Sequence, residues 1–156
     1  MTLDTASINN AIKQLQDYQK RIEQKAREMV ERLADIGAVT ASAMFPMADY
    51  DGKNDVSVSI EQRGDTACAV VATGSAVLFI EFGAGITYGY GHPQAGEFGY
   101  GPGTYPSEKG HWNDPDGWYI PGGQHTYGNP PSMTMYYTAE EIRDRVMEVA
   151  REVFSS

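Results

Sequence analysis

Val77-Leu78-Phe79-Ile80-Glu81-Phe82-Gly83-Ala84-Gly85 opens, and Gly128-Asn129-Pro130-Pro131-Ser132-Met133 closes, the stretch on which the reading of this chain turns. An apolar segment feeds into it and an amphipathic helix leaves it. Between them, Ile86 to Gly128 is a run of Gly, Tyr, Pro and His with the period of neither helix nor strand. A compact domain does not ordinarily leave so long a segment irregular unless the segment has a task. A small hairpin around Trp118-Tyr119-Ile120 is expected inside it. The apolar run Val77 to Phe82 suits a third strand or a short helix, and six residues of periodicity do not choose between them.

Working outward, Val56, Val58 and Ile60 alternate with Ser57, Ser59 and Glu61, the pattern of a half-buried strand. Arg63-Gly64-Asp65 makes a turn, and Ala67 to Thr73 returns as an antiparallel partner. Upstream, Ile8, Ile12, Leu15, Ile22, Ala26, Met29, Val30 and Leu33 recur at helical spacing, with Asp4, Thr5 and Ser7 as candidate caps and Gly37 as a natural stop. A helix over 7–36 would run about 45 Å, longer than a domain of this size needs. Its stripe widens toward Met29–Leu33, the end expected to dock, and the other end leans on a neighbour or projects. Downstream, Ile142, Val146, Val149 and Val153 define a helix over 138–154.

The expected architecture is α+β in a single domain, 1–156. A long N-terminal helix (7–36) and a C-terminal helix (138–154) pack on a small antiparallel sheet (54–82), with an extended Gly/Tyr/Pro-rich loop arm over 83–131. The chain has no basic-then-apolar start and no apolar run of membrane-spanning length, so neither classical export nor a membrane partner is expected.

The formal charge of −9 is unevenly placed. Residues 1–37 carry six acids and six bases, whereas residues 38–135 carry ten acids against Lys53, Arg63 and Lys109. Such a middle section repels phosphate and argues against tight or sequence-reading nucleic-acid binding, though not against DNA passing by.

Candidate chemistry is thin. His92, His111 and His125 are spaced unlike metal ligands, and the single Cys68, among alanines and valines, cannot complete a set. Asp49, Asp51 and Asp55 lack the downstream glutamate of a calcium loop. The Gly83-Ala84-Gly85 run lacks the Lys and Ser/Thr of a phosphate loop. Glu81, between Ile80 and Phe82, either acts as a carboxyl with a raised pKa or pairs with an arginine or caps backbone near Gly83; the structural role is preferred. Contact capacity, by contrast, is large: nine aromatics of the arm suit burial against another protein, with sugar stacking as the alternative.

The order of these features resembles the tail-component or head–tail joining (neck, tail-completion) proteins of long-tailed phages. The resemblance is carried by Phe79-Ile80-Glu81-Phe82-Gly83-Ala84-Gly85, then a variable loop, then Asn129-Pro130-Pro131-Ser132-Met133-Thr134-Met135-Tyr136-Tyr137-Thr138-Ala139 before a terminal helix. It implies a non-enzymatic virion protein without cofactor or metal, forming a homo-oligomeric ring at the head–tail interface after assembly in the host cytoplasm. Its partners would be itself, the head connector or adaptor, and tail-tube or tail-terminator proteins, with DNA only as passing cargo. The residues expected at these contacts are Glu81, Phe82, Tyr88, Tyr90, Tyr100, Trp112, Trp118, Tyr119 and Tyr127.

Overall fold

Asp4 sets the start of the first helix. Its backbone is extended and its Oδ1 accepts from the Ser7 amide at 2.7 Å, which holds the carboxyl below its ordinary pKa. In the computed structural model, which describes residues 4–86, 88, 91–100 and 114–155, helix α1 then runs Thr5–Met44. Forty residues span about 60 Å.

The helix passes through Gly37 without stopping there. The missing side chain is used for packing: a Cβ at this position would lie 2.5 Å from Ile142 Cδ1 and 3.0 Å from Val70 Cγ2. What ends α1 is Pro46, inside the 3₁₀ turn Phe45–Met47, because a proline cannot extend the ladder.

The C-terminal helix, α3, covers Thr134–Ser155 and starts four residues before its expected boundary. It lies antiparallel on the second half of α1. Lys25 Nζ donates to Val153 O at 2.7 Å and Arg32 meets Glu152 at 3.4 Å, while Gly37 faces Ile142. The Lys25 contact puts a cation on the carbonyl end of α3, where the helix dipole favours it.

Strands β1 (Ser57–Gln62) and β2 (Cys68–Thr73) form the expected hairpin, in register from Ser57↔Thr73 to Gln62↔Cys68. The sheet expected over 54–82 ends there, since Val77–Phe82 is a short helix, α2. The reason lies upstream. Asp55 Oδ2 accepts from the Ser75 amide and hydroxyl at 2.9 and 2.8 Å, and Oδ1 from the Ala76 amide at 2.9 Å. These bonds turn the chain out of β2 and fix Ser75 and Ala76, the two residues just before α2. Hydrogen bonding from Ser75 and Ala76 holds the Asp55 carboxyl at about 2.

A second, two-residue hairpin pairs β3 (Trp118–Tyr119) with β4 (His125–Thr126), where the arm was expected to fold back on itself. The core is centred on Ala41, Phe45, Ala76 and Ile80, with Val58, Val70, Ala72, Val77 and Met135 packed around it. Thus α1, the hairpin, α2 and the start of α3 converge on one apolar cluster. Among the described residues, no helix is long and apolar enough to cross a membrane.

Candidate functional site

The two ends of the arm are pinned together by α2 and α3 capping one another. A short helix leaves its last carbonyls without intrahelical donors, and the first amides of the next helix lack acceptors. Here the side-chain amide of Asn129 donates to Phe79 O at 2.9 Å, the Ser132 amide to Ile80 O at 2.8 Å, and the Met133 amide to Glu81 O at 3.2 Å. In return, Glu81 Oε2 accepts from the Met135 amide at 2.7 Å and Oε1 from the Tyr136 amide at 2.9 Å. Met133, just before α3, offers no capping oxygen of its own and sits in the left-handed region at φ 54°. A carboxylate from more than fifty residues upstream supplies the cap instead.

Ala84 and Asn129 complete the clasp with two backbone bonds of 3.0 Å. The strands cross so closely that a side chain at Gly83, which has φ 75°, would stand 2.7 Å from the Pro131 nitrogen. The two glycine-bearing ends of the arm are therefore the two halves of one junction.

His92 closes the clasp from the arm side. Its Nδ1 accepts from the Gln94 amide at 3.1 Å, which leaves the ring proton on Nε2, facing Glu81 Oε1 at 3.1 Å. Glu81 and His92 are both buried, and their polar atoms are all engaged. Glu81 is neither paired with an arginine nor presented at a surface. Of its expected structural roles the capping one holds, on Met135 and Tyr136 rather than beside Gly83. With three donors on the carboxylate and both His92 nitrogens bonded, the pair serves to hold structure together.

The aromatics fall into two groups. Phe82 packs against His92, Phe98 and Tyr100, with ring centres 4.3, 5.5 and 4.7 Å apart, beside a hollow of about 670 Å³ that reaches Glu140 and Arg143 on α3. Trp118, Tyr119 and Tyr127 belong to the β3–β4 hairpin, where His125 lies edge-on to Tyr119 and Tyr127, each at 4.9 Å. The Thr126 hydroxyl ties that hairpin to Asp51 at 2.7 Å, beside a second hollow of about 400 Å³ lined by Tyr50, Phe79, Trp118 and Tyr119. Burial, and secondarily the Asp55 charge, raise the Tyr50 phenol. Tyr88 is exposed, as are Tyr119 and Tyr127. Tyr90 and Trp112 of the expected contact set, and His111 of the histidine trio, lie outside the described residues.

Asp51 and Asp55, two of the three carboxylates in the loop before β1, are occupied by Thr126 and by Ser75 and Ala76. Cys68 is half-buried, its thiol donating to Gln62 Oε1 at 3.2 Å. The first twenty residues of α1 stand beyond the α3 contact, with Ile8, Ile12, Leu15, Tyr18 and Ile22 exposed. The periodic stripe in the sequence already contained all of these but Tyr18, without saying how far the docked part would reach. Neither a protein-family model, nor a curated protein, nor a solved structure matches the chain.

Proposed function

We propose that this chain is a non-enzymatic structural protein of a phage neck, acting as a homo-oligomeric ring between the head connector and the tail tube. The observation that carries the reading is the clasp. Glu81, Asn129, Ser132 and His92 fix both ends of an aromatic-bearing arm to the helical body, so that Tyr88, Tyr119 and Tyr127 are presented from a rigid base. Aromatic side chains exposed in this way supply contact area at low entropic cost. The long α1 overhang offers a second, separate patch, and two different patches per subunit are what a cyclic assembly uses. The acidic surface suits a conduit that DNA passes without being held.

The test is the assembled mass of the purified chain, alone and with connector and tail-tube proteins of the same virion. Ring-sized species, or stoichiometric capture by either neighbour, are expected. A chain that stays monomeric and binds neither rejects the reading.

A second reading has one observation in its favour. The hollow lined by Tyr50, Trp118 and Tyr119 has the aromatic walls of a sugar-stacking site. A glycan array with Trp118→Ala as control separates the two: carbohydrate binding lost in the variant supports this reading, and no binding to any glycan removes it.

A further inference from the structure

The arm segment 91–100 meets the body of the protein through a buried side chain that can change its charge. His92 makes two bonds there, accepting from the Gln94 amide at Nδ1 and facing Glu81 Oε1 with Nε2–H, each at 3.1 Å. Beyond it the segment turns on itself. The Ala95 amide donates to His92 O at 3.2 Å, the Glu97 amide to Gln94 O at 3.0 Å and the Tyr100 amide to Ala95 O at 2.8 Å. That turn seats Phe98 and Tyr100 against Phe82, with ring centres 5.5 and 4.7 Å away.

A proton acts on the two bonds of His92 in opposite ways. Neutral imidazole has one donor and one acceptor nitrogen, whereas the charged ring has two donors. Nε2 already carries its hydrogen toward Glu81, so an added proton goes to Nδ1, where it meets the Gln94 N–H. Two donors cannot share a bond, and that bond is lost. Toward Glu81 the change runs the other way. Its carboxylate is buried, and its donors are the Met135 and Tyr136 amides and this ring, with no Lys or Arg bonded to it among the described residues. A positive ring makes the contact with Glu81 a charge-assisted one, which is stronger than its neutral form.

The remaining groups around the ring leave room for a positive charge. Phe82 of α2 lies against it at 4.3 Å and Tyr136 of α3 edge-on at 5.7 Å. The adjoining hollow adds Glu97 and Tyr100 of the arm, and Glu140 and Arg143 of α3, which pair with each other. Acids therefore outnumber bases there.

We infer that His92 is a proton-operated latch on the arm. Neutral, toward higher pH, it holds the 92–100 turn on the body. Protonated, toward lower pH, it keeps its grip on Glu81 and gives up Gln94, so the turn opens and Phe98 and Tyr100 lose their fixed seat on Phe82. The bonds of Asn129, Ser132 and the amides capped by Glu81 take no part, so the base of the arm stays closed. The latch stands whether or not the chain forms rings.

The test is an NMR titration of the full chain between about pH 8 and 5, the range in which an ordinary imidazole changes charge. It follows the His92 ring signals and the amides of Gln94, Tyr100, Met135 and Tyr136. The Gln94 amide should move in step with the ring. Exchange of the Tyr100 amide, corrected for its intrinsic rate, should quicken at least about tenfold at the acid end, while Met135 and Tyr136 stay unchanged. His92→Asn offers an oxygen that accepts from the amide two residues on at any pH, so it should flatten both curves. A ring that takes up no proton over this range, or takes one up while Gln94 and Tyr100 stay as they were, overturns the latch. A response at Met135 and Tyr136 with the ring unchanged puts the proton on Glu81 and overturns it too. A pH response of the turn that persists in folded His92→Asn belongs to another group and does the same. Should that variant fail to fold, the titration of the parent chain decides by itself.

Discussion

At Glu81 the two carboxylate oxygens accept from the Met135 and Tyr136 amides and face His92 Nε2, all inside the protein. Truncation strands three donors at once. A buried donor left without its acceptor costs about 1–3 kcal/mol, and contributions at one site overlap. Glu81→Ala is expected to lose about 3 kcal/mol in urea unfolding with an unchanged slope. Glu81→Gln should lose a smaller but clear share, because one side of an amide cannot accept. A loss under about 1 kcal/mol for the alanine variant would mean that water replaces the cap.

Asp55 makes a separate, pH-dependent prediction. Its folded pKa, about 2, lies below the unfolded value near 3.9. Its contribution is therefore complete above roughly pH 4 and is lost as the pH falls toward 2. Asp55→Asn should lower the melting temperature at pH 7, and the gap to the parent chain should narrow steadily between pH 4 and pH 2. A gap that stays constant over that range would show that the charge is not what the turn uses.

Among the elements, α1 tests how far periodicity reaches. Its apolar stripe and its docked end at Met29–Leu33 are legible, because they depend on residues three and four apart, whereas Asp4 is one of three candidate caps for a helix expected from residue 7. The passage of α1 through Gly37 is not legible, because the reason is Ile142 on another helix. The same holds for α2, whose five apolar residues around Glu81 suit strand or helix until Asp55 is seen fixing Ser75 and Ala76 just before it, from across the hairpin. The start of α3 is set by Glu81 rather than by a local Ser or Asp, so the local signal placed it late. Within the candidate site, the two ends of the arm were readable as anchors. The separation of Phe82 and Tyr100 from the Trp118–Tyr127 hairpin depends on the path of the chain between them, which composition does not encode.

Gly37 yields the prediction at this scale. Gly37→Ala adds about 1 kcal/mol of helix propensity, but its new Cβ presses on the tip of Ile142, a side chain able to move. The net change should be within about 1 kcal/mol of zero, and Ile142→Val should turn it favourable by making room. Gly37→Leu has no such escape, since Val70 closes the other side. It should cost about 1–3 kcal/mol by forcing α3 off α1, read as a lower urea midpoint.

For the whole molecule, the decisive quantity is where the charge lies. Residues 1–44 carry six acids and six bases, so residues 45–156, with fifteen acids and six bases, hold the entire −9. Copies brought side by side therefore repel through their bodies, while the patches proposed to join them, the α1 stripe and the aromatic arm, are mainly apolar. Salt acts on these two parts differently. Between about 0.05 and 0.5 M it shortens the screening length from about 14 Å to about 4 Å, muting body–body repulsion and leaving apolar burial in place. Assembly should therefore strengthen with salt, with the apparent association constant rising several-fold across that range in sedimentation or mass photometry. An ion-pair-driven ring would respond with the opposite sign. Duplex DNA titrated in at the low-salt end, where a basic lumen would bind most tightly, should show no retention. Dissociation of the assembly by added salt would move the contact from the apolar stripe to the charged rims, and DNA retention at low salt would show a lumen whose lining is not acidic.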